Sequence, residues 1–200
     1  MTIGMKDIMA MVGRSLKSPR EGAHEVLTIR IPQEAVGMIV VLVVVLSVLL
    51  AQVMGLMILP ADTDMVIGLF SSAIVAGLVQ LTVMLVTIGG VFWIGRAMGG
   101  TGSLKESALI ISWLQFIMVC LQLVQLVVLV ILPPFAGLIG IVALGVFLWL
   151  LTNFVATLHG FKSLGQVFVM IIVSTFTLAF LISLLFALFG VDLPMPETGA

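Results

Sequence analysis

Five long stretches of this chain contain no Asp, Glu, Lys or Arg, and each is long enough to cross a lipid bilayer as one helix. The hydrocarbon core of a bilayer is about 30 Å thick, which corresponds to roughly 20 helical residues. The predicted spans cover about 35–59, 65–94, 107–132, 135–158 and 166–189. They are continuously apolar and do not alternate, which argues against a membrane β-barrel. The sequence therefore predicts an all-α, polytopic membrane helix bundle.

The composition excludes an ordinary soluble domain. Of the 200 residues, 62% are hydrophobic and 8% are charged, whereas soluble domains average roughly 45–50% and about 25%. A soluble fold of this size has too much surface to hide so many apolar side chains. The single cysteine, Cys120, lies in an apolar stretch and is predicted to be a buried apolar residue without a disulfide or metal role.

The spans divide the chain into three parts. Residues 1–34 form a lead, residues 35–189 form the five-helix domain, and residues 190–200 form a short tail. In the first half of the lead, apolar residues recur at helical spacing and the basic residues lie largely outside that stripe. The stripe consists of Met5, Ile8, Met9, Val12 and Leu16. This pattern is typical of a basic amphipathic helix that lies in the lipid headgroup region.

A second short helix is predicted in the lead. Ser18 can cap its start, Pro19 fits the first turn, and Glu21 stands at the capping-box position. The helix is expected to run to about Ile29, with Pro32 as the elbow into the bilayer. The lead serves either to fix the topology or to bind a lipid or partner.

The distribution of basic residues predicts the orientation. The eight are Lys6, Arg14, Lys17, Arg20, Arg30, Arg96, Lys105 and Lys162. With five spans, and a tight hairpin at Pro133 and Pro134 between the third and fourth, all eight fall on one side of the membrane. Basic residues near membrane helices stay in the cytoplasm. The N-terminus is therefore predicted to be cytoplasmic and the C-terminus outside.

The third and fourth spans hold most of the amide side chains in the membrane: Gln115, Gln122, Gln125 and Asn153. Buried amides of this kind usually join neighbouring helices through hydrogen bonds. The alternative is a polar path for a solute. Against the path, the predicted spans contain no charged residue, and transporters usually place one there.

The Gly-rich loop between the second and third spans leads into a helix. Ser103 and Glu106 are predicted to form a capping box at the helix start. Free backbone N–H groups there attract anions, so Arg96, Ser103 and Lys105 are candidate contacts for a lipid headgroup. The spacing does not fit a nucleotide-binding P-loop.

Catalytic and metal sites are not predicted. His24 and His159 lack a second histidine or a carboxylate at ligand spacing. An intramembrane serine protease would need a basic partner at the depth of its serine, and His159 at the membrane interface does not supply one. The sequence predicts no cofactor, no nucleic-acid binding and no enzymatic activity.

The chain resembles the Yip family, membrane proteins named for interaction with Ypt/Rab GTPases, and in particular its bacterial branch. The resemblance covers most of the chain, from 18–21 (SPRE) to the fifth span, and rests on the five spans and on two loop segments, 99–106 (GGTGSLKE) and 159–164 (HGFKSL). It implies a non-enzymatic, polytopic membrane protein. The cytosolic lead of the eukaryotic relatives carries an acidic-aromatic motif with a tyrosine. This chain has no tyrosine, so GTPase binding is not carried over.

The favoured function is membrane organisation or protein interaction through the cytoplasmic lead and loops, in the bacterial cytoplasmic (inner) membrane. The expected partners are the lipid bilayer and proteins at those surfaces, and a homo-oligomer is compatible with the sequence. The alternative is a small-solute transporter or channel that uses the four amides. A lipid-handling enzyme is the least favoured of the three.

Overall fold

The computed structural model describes residues 4–58 and 72–188, and every regular element in these ranges is helical. The chain divides into two compact units, Met1–Lys162 and Ser163–Ala200. In chain order the helices are α1 (Met5–Lys17), α2 (Pro19–Thr28), α3 (Gln33–Ile58), α4 (Ala73–Ala97), α5 (Leu104–Ile131), a 3-10 turn (Pro133–Phe135), α6 (Ala136–His159) and α7 (Leu164–Leu188). The predicted all-helical class is confirmed.

Within the described residues, five helices are long and apolar enough to cross a membrane, as predicted, and they are α3 to α7. The start predicted for the second span, the loop at 60–64 and the tail at 190–200 lie outside the described residues. In the second unit, the hydroxyl of Ser163 accepts a hydrogen bond from the backbone N–H of Gln166 at 3.3 Å. This bond satisfies one of the free N–H groups at the start of α7.

Helix α5 is the centre of the first unit, where it packs against α2, α3, α4 and α6. Its side chains Ile110, Leu114 and Ile117 are fully buried. Farther along the same helix, Leu123 and Val127 are exposed. Large apolar side chains exposed along a helix of this length are expected where the surrounding solvent is lipid.

The predicted hairpin between the third and fourth spans is present. Helix α5 ends at Ile131, and Leu132 adopts φ −140° and ψ 66°, outside the helical region. A residue before proline is pushed out of the helical region because the proline ring collides with its backbone. The 3-10 turn Pro133–Phe135 then leads directly into α6, which returns along α5.

Helix α2 begins at Pro19 as predicted, but the predicted capping box at Ser18 is wrong. The hydroxyl of Ser18 makes no cap hydrogen bond. Ser18 also ends α1, where its backbone N–H donates to the carbonyl of Arg14 at 2.7 Å. With φ −135° and ψ 78°, Ser18 serves a tight corner between two helices rather than the extended entry that a capping box requires.

Candidate functional site

The lead folds back onto one end of the first unit. Helix α2 packs against both α5 and α6, and α1 packs against α2. On α2, Ala23 is completely buried and Val26 nearly so. We call this region the lead-side end: it comprises α1, α2, the loop 98–103 and His159 at the end of α6.

A small side chain lets α1 and α2 approach closely. A Cβ atom built on Gly22 would lie 2.6 Å from the Cα atom of Ser15 and would also overlap its hydroxyl oxygen. Real Cβ atoms essentially never approach a backbone atom so closely. Gly22 is therefore required for the crossing of the two helices.

A hydrogen bond ties the lead to a membrane-spanning helix. The indole N–H of Trp113 on α5 donates to the hydroxyl oxygen of Ser15 at 3.0 Å. Ser15 is completely buried, and a buried polar group needs such a partner because it has lost its hydration. The ring of Trp113 also stacks on Phe116, with the ring centroids 5.6 Å apart.

A surface ion pair joins the two lead helices. Two nitrogens of Arg14 contact the carboxylate of Glu25, at 3.0 Å and 2.6 Å. This hydrogen bond raises the pKa of the Arg14 guanidinium further above its ordinary value. Both side chains are exposed, so the pair orients the helices more than it stabilises them.

His159 forms a second tight contact at the lead-side end. Its imidazole is buried against three glycines, Gly95 at the end of α4 and Gly100 and Gly102 in the following loop. A Cβ atom on any of the three would lie within 3 Å of the His159 side chain. The three glycines thus form a cradle for one aromatic ring.

Both ring nitrogens of His159 have partners in this cradle. The backbone N–H of Gly102 donates to Nδ1 at 3.3 Å, and Nε2 lies 3.0 Å from the carbonyl oxygen of Val91. Because Nδ1 accepts, the geometry assigns the proton to Nε2, which donates to Val91. His159 is therefore held as a neutral ring that connects α4, α6 and the loop between α4 and α5.

The Gly-rich loop ends in the capping box predicted from the sequence. Glu106 accepts from the N–H of Ser103 at 2.8 Å, and the hydroxyl of Ser103 accepts from the N–H of Glu106 at 3.2 Å. Earlier in the loop, Gly99 adopts φ +87°, which suits glycine far better than other residues. The loop geometry is thus set by one cap and one left-handed glycine.

An open groove of about 680 Å³ lies between the end of α2 and the start of α5. Its polar lining residues are Thr28, Arg30, Ser103, Lys105 and Glu106. Two of the three predicted headgroup contacts, Ser103 and Lys105, are thus brought together with Arg30. The third, Arg96, is exposed and does not line the groove.

These features occur in a chain whose sequence matches the family model of the Yip1 domain over residues 13–189. The chain belongs to the Yip1 domain family. The match covers α2 to α7 and the end of α1, so the docked helix α2 and the His159 cradle lie inside the Yip1 domain. The family is not known as enzymatic. Searches of curated proteins and of solved structures gave no match.

The amide residues of the Yip1 domain make separate contacts. Gln125 donates to the carbonyl of Ala136 across the hairpin at 3.1 Å. Asn153 donates to the carbonyl of Trp149 in its own helix at 2.8 Å. Since the carbonyls of Ala136 and Trp149 are separated by 13 residues of α6, these two contacts are about 20 Å apart along the helix axis. Gln115 is half-buried, and the side-chain oxygen of Gln122 is buried without a hydrogen-bond partner.

Two residues of the lead-side end were missed by the sequence analysis. Ser15 carried no motif, although a tryptophan in a predicted span needs a partner for its N–H group. The sequence patterns give His159 no metal or catalytic role and place it in the segment 159–164, but they do not predict its burial against glycines. One pattern in the sequence could have indicated this contact. His159 stands beside Gly160 at a loop, and a second loop, 99–102, contains three glycines that leave room for a large side chain.

Proposed function

We propose that this Yip1 domain is a non-enzymatic membrane protein that presents its lead and loops as a preformed surface for protein partners. The observation that carries the proposal is the hydrogen bond between Ser15 and Trp113, which fixes the lead on the membrane-spanning helices. A surface that is already ordered loses less conformational entropy on binding than a flexible segment does. On this surface α1 exposes Met5 and Met9, and methionine adapts well to different partners.

We place this surface in the cytoplasm, with the C-terminus outside. Arg30 and Lys105 line one groove, Arg96 is adjacent to the His159 cradle, and Lys162 follows the cradle by three residues. Lys6, Arg14, Lys17 and Arg20 lie on or next to the two lead helices. Such clustering at one end of a helix bundle favours the cytoplasmic side of a membrane. In a bacterium this is the cytoplasmic (inner) membrane.

Reporter fusions test the orientation. Reporters that are active only outside the cytoplasm should be active when fused after Leu59 and after Phe189. A reporter fused after Arg96 should be inactive, because that loop belongs to the cytoplasmic side. An inactive reporter at either of the first two sites would contradict the five-span orientation.

A pair of glycine substitutions tests the function. In Gly22→Ala the new methyl group collides with the backbone of Ser15, whereas a Cβ on Gly13 meets nothing within 4 Å. Proteins crosslinked in cells to the wild-type chain should be recovered with Gly13→Ala and lost with Gly22→Ala, at equal amounts of membrane-inserted protein. Equal recovery with both variants would contradict a partner surface that depends on the docked lead.

One observation supports the second candidate, a path for a small solute. The side-chain oxygen of Gln122 is buried and has no hydrogen-bond partner, and such a group is expected to bind water or a solute. Replacing Gln115, Gln122, Gln125 and Asn153 by leucine should abolish a solute flux in reconstituted vesicles if the path exists. Unchanged flux with an intact fold would exclude this path.

A further inference from the structure

Two positive side chains meet in the groove between α2 and α5. Arg30 follows the end of α2, and Lys105 lies in the first turn of α5, so separate segments bring them together. Among the described residues, one ion pair is present, between Arg14 and Glu25. Neither Arg30 nor Lys105 therefore forms an ion pair with a described carboxylate. Arg30 is exposed and Lys105 is half-buried. The groove thus offers two cations to an anion.

The groove also contains one carboxylate, Glu106, whose negative charge leaves the two cations an excess of one, and whose Oε2 is engaged by the helix cap. One oxygen of Glu106 accepts from both the backbone N–H and the hydroxyl of Ser103, at 2.8 Å and 2.7 Å. The hydroxyl of Thr28 donates to the carbonyl of Glu25 at 2.7 Å. These bonds leave Arg30 and Lys105 as the groups that can contact a ligand through charge-assisted hydrogen bonds.

The remaining lining is apolar and lies where the membrane spans begin. Ile29, Ile31 and Leu109 contribute to the groove, and the spans α3 and α5 start at Gln33 and Leu104. A ligand bound in the groove would therefore contact the cations with one end and the apolar side chains with the other. The volume of about 680 Å³ is in the usual range for small-molecule sites, roughly 300–1,000 Å³.

We propose that this groove binds the headgroup of an anionic phospholipid. Arg30 and Lys105 contact the phosphate, and the apolar lining contacts the first part of the acyl chains, since the site opens at the level where the bilayer begins. Arg96, which does not line the groove, is not a ligand. The proposal needs the chain in a membrane but no protein partner, so it stands apart from the proposed interaction role.

Native mass spectrometry of the full-length, delipidated protein in detergent micelles tests the site. The probes are dioleoyl-phosphatidylglycerol, which is anionic, and dioleoyl-phosphatidylcholine, which is zwitterionic. The double variant Arg30→Gln/Lys105→Gln should bind phosphatidylglycerol about thirtyfold more weakly than the wild type does. The control Arg20→Gln/Lys162→Gln removes the same net charge away from the groove and should bind as the wild type does.

A third variant separates the groove from general electrostatic attraction. Thr28→Trp fills the groove but keeps both cations, and it should lose phosphatidylglycerol while its thermal unfolding stays within a few degrees of the wild type. Inorganic phosphate tests whether a free anion is the ligand. Phosphate at millimolar concentration should leave bound phosphatidylglycerol in place. Equal binding of both lipids, equal loss in the control double variant, or full displacement by phosphate would each overturn the proposal.

Discussion

The indole N–H of Trp113 donates to the buried hydroxyl of Ser15 at 3.0 Å, which connects the lead helix α1 to the central membrane-spanning helix α5. The two residues are 98 positions apart in the chain. Because Gly22 of α2 lies against the same serine, one side chain joins three helices. Through this contact the lead packs as part of the folded first unit.

A double-mutant cycle measures how much this hydrogen bond contributes to the free energy of unfolding. Ser15→Ala and Trp113→Phe should each lower the free energy of unfolding by about 1–3 kcal/mol, since each leaves a polar partner without a hydrogen bond. The double variant should be more stable than the sum of the single effects predicts. The free energies of unfolding are measured in mixed detergent micelles. Strictly additive losses in the two single variants would contradict a direct hydrogen bond.

Glycine substitutions test the cradle of His159. Gly95→Ala places a methyl group against the imidazole, and overpacking of this kind typically costs about 1–3 kcal/mol. Gly90→Ala is the matched control in the same helix, since a Cβ there meets nothing within 4 Å. It should be neutral or should stabilise by up to about 1 kcal/mol, the helix-propensity difference between glycine and alanine.

A second substitution identifies the ring as the cause. His159→Ala in the Gly95→Ala background should cost less than the two single effects together, because it removes the atoms that collide with the new methyl group. Thermal unfolding of the four proteins completes the cycle. A Gly95→Ala loss that persists unchanged in the His159→Ala background would contradict the cradle.

The same serine–glutamate spacing occurs at the start of two helices, which allows the effect of the cap hydrogen bond to be compared. Both Ser18 and Ser103 are followed three residues later by glutamate, but only the hydroxyl of Ser103 accepts a cap hydrogen bond. Ser103→Ala should lower the free energy of unfolding by about 1 kcal/mol. Ser18→Ala should change it by less than about 0.5 kcal/mol. Equal losses in the two variants would show that Ser18 also caps its helix in solution.

The number and type of the helices could be predicted because each depends on local composition. An apolar stretch without charges has few alternatives to a membrane helix, and the proline pair at 133–134 fixes the hairpin through backbone sterics alone. The capping box of Ser103 is likewise local. The same pattern at Ser18 failed because Ser18 also ends the preceding helix, which the pattern does not record.

The lead-side end could be predicted only in part because its contacts are distant in sequence. Ser15 and Trp113, or His159 and Gly95, meet through tertiary packing that no short pattern encodes. The amphipathic stripe of α1 shows the consequence. The stripe predicts one face for the headgroup region, yet Val12 is buried against the protein while Met5 and Met9 are exposed. The candidates Ser103 and Lys105, by contrast, could be predicted because they belong to a local pattern, a Gly-rich loop that leads into a helix.

Hydrogen–deuterium exchange of residues 5–28, measured on the full-length protein in lipid nanodiscs, tests the docked lead most directly. The backbone amides of α1 and α2 should be protected in the wild type and in Gly13→Ala, because the lead is packed on α5 and α6. They should exchange at least about tenfold faster in Gly22→Ala, where the methyl group separates the two lead helices. Rapid exchange in the wild type, or equal protection in all three proteins, would contradict the account.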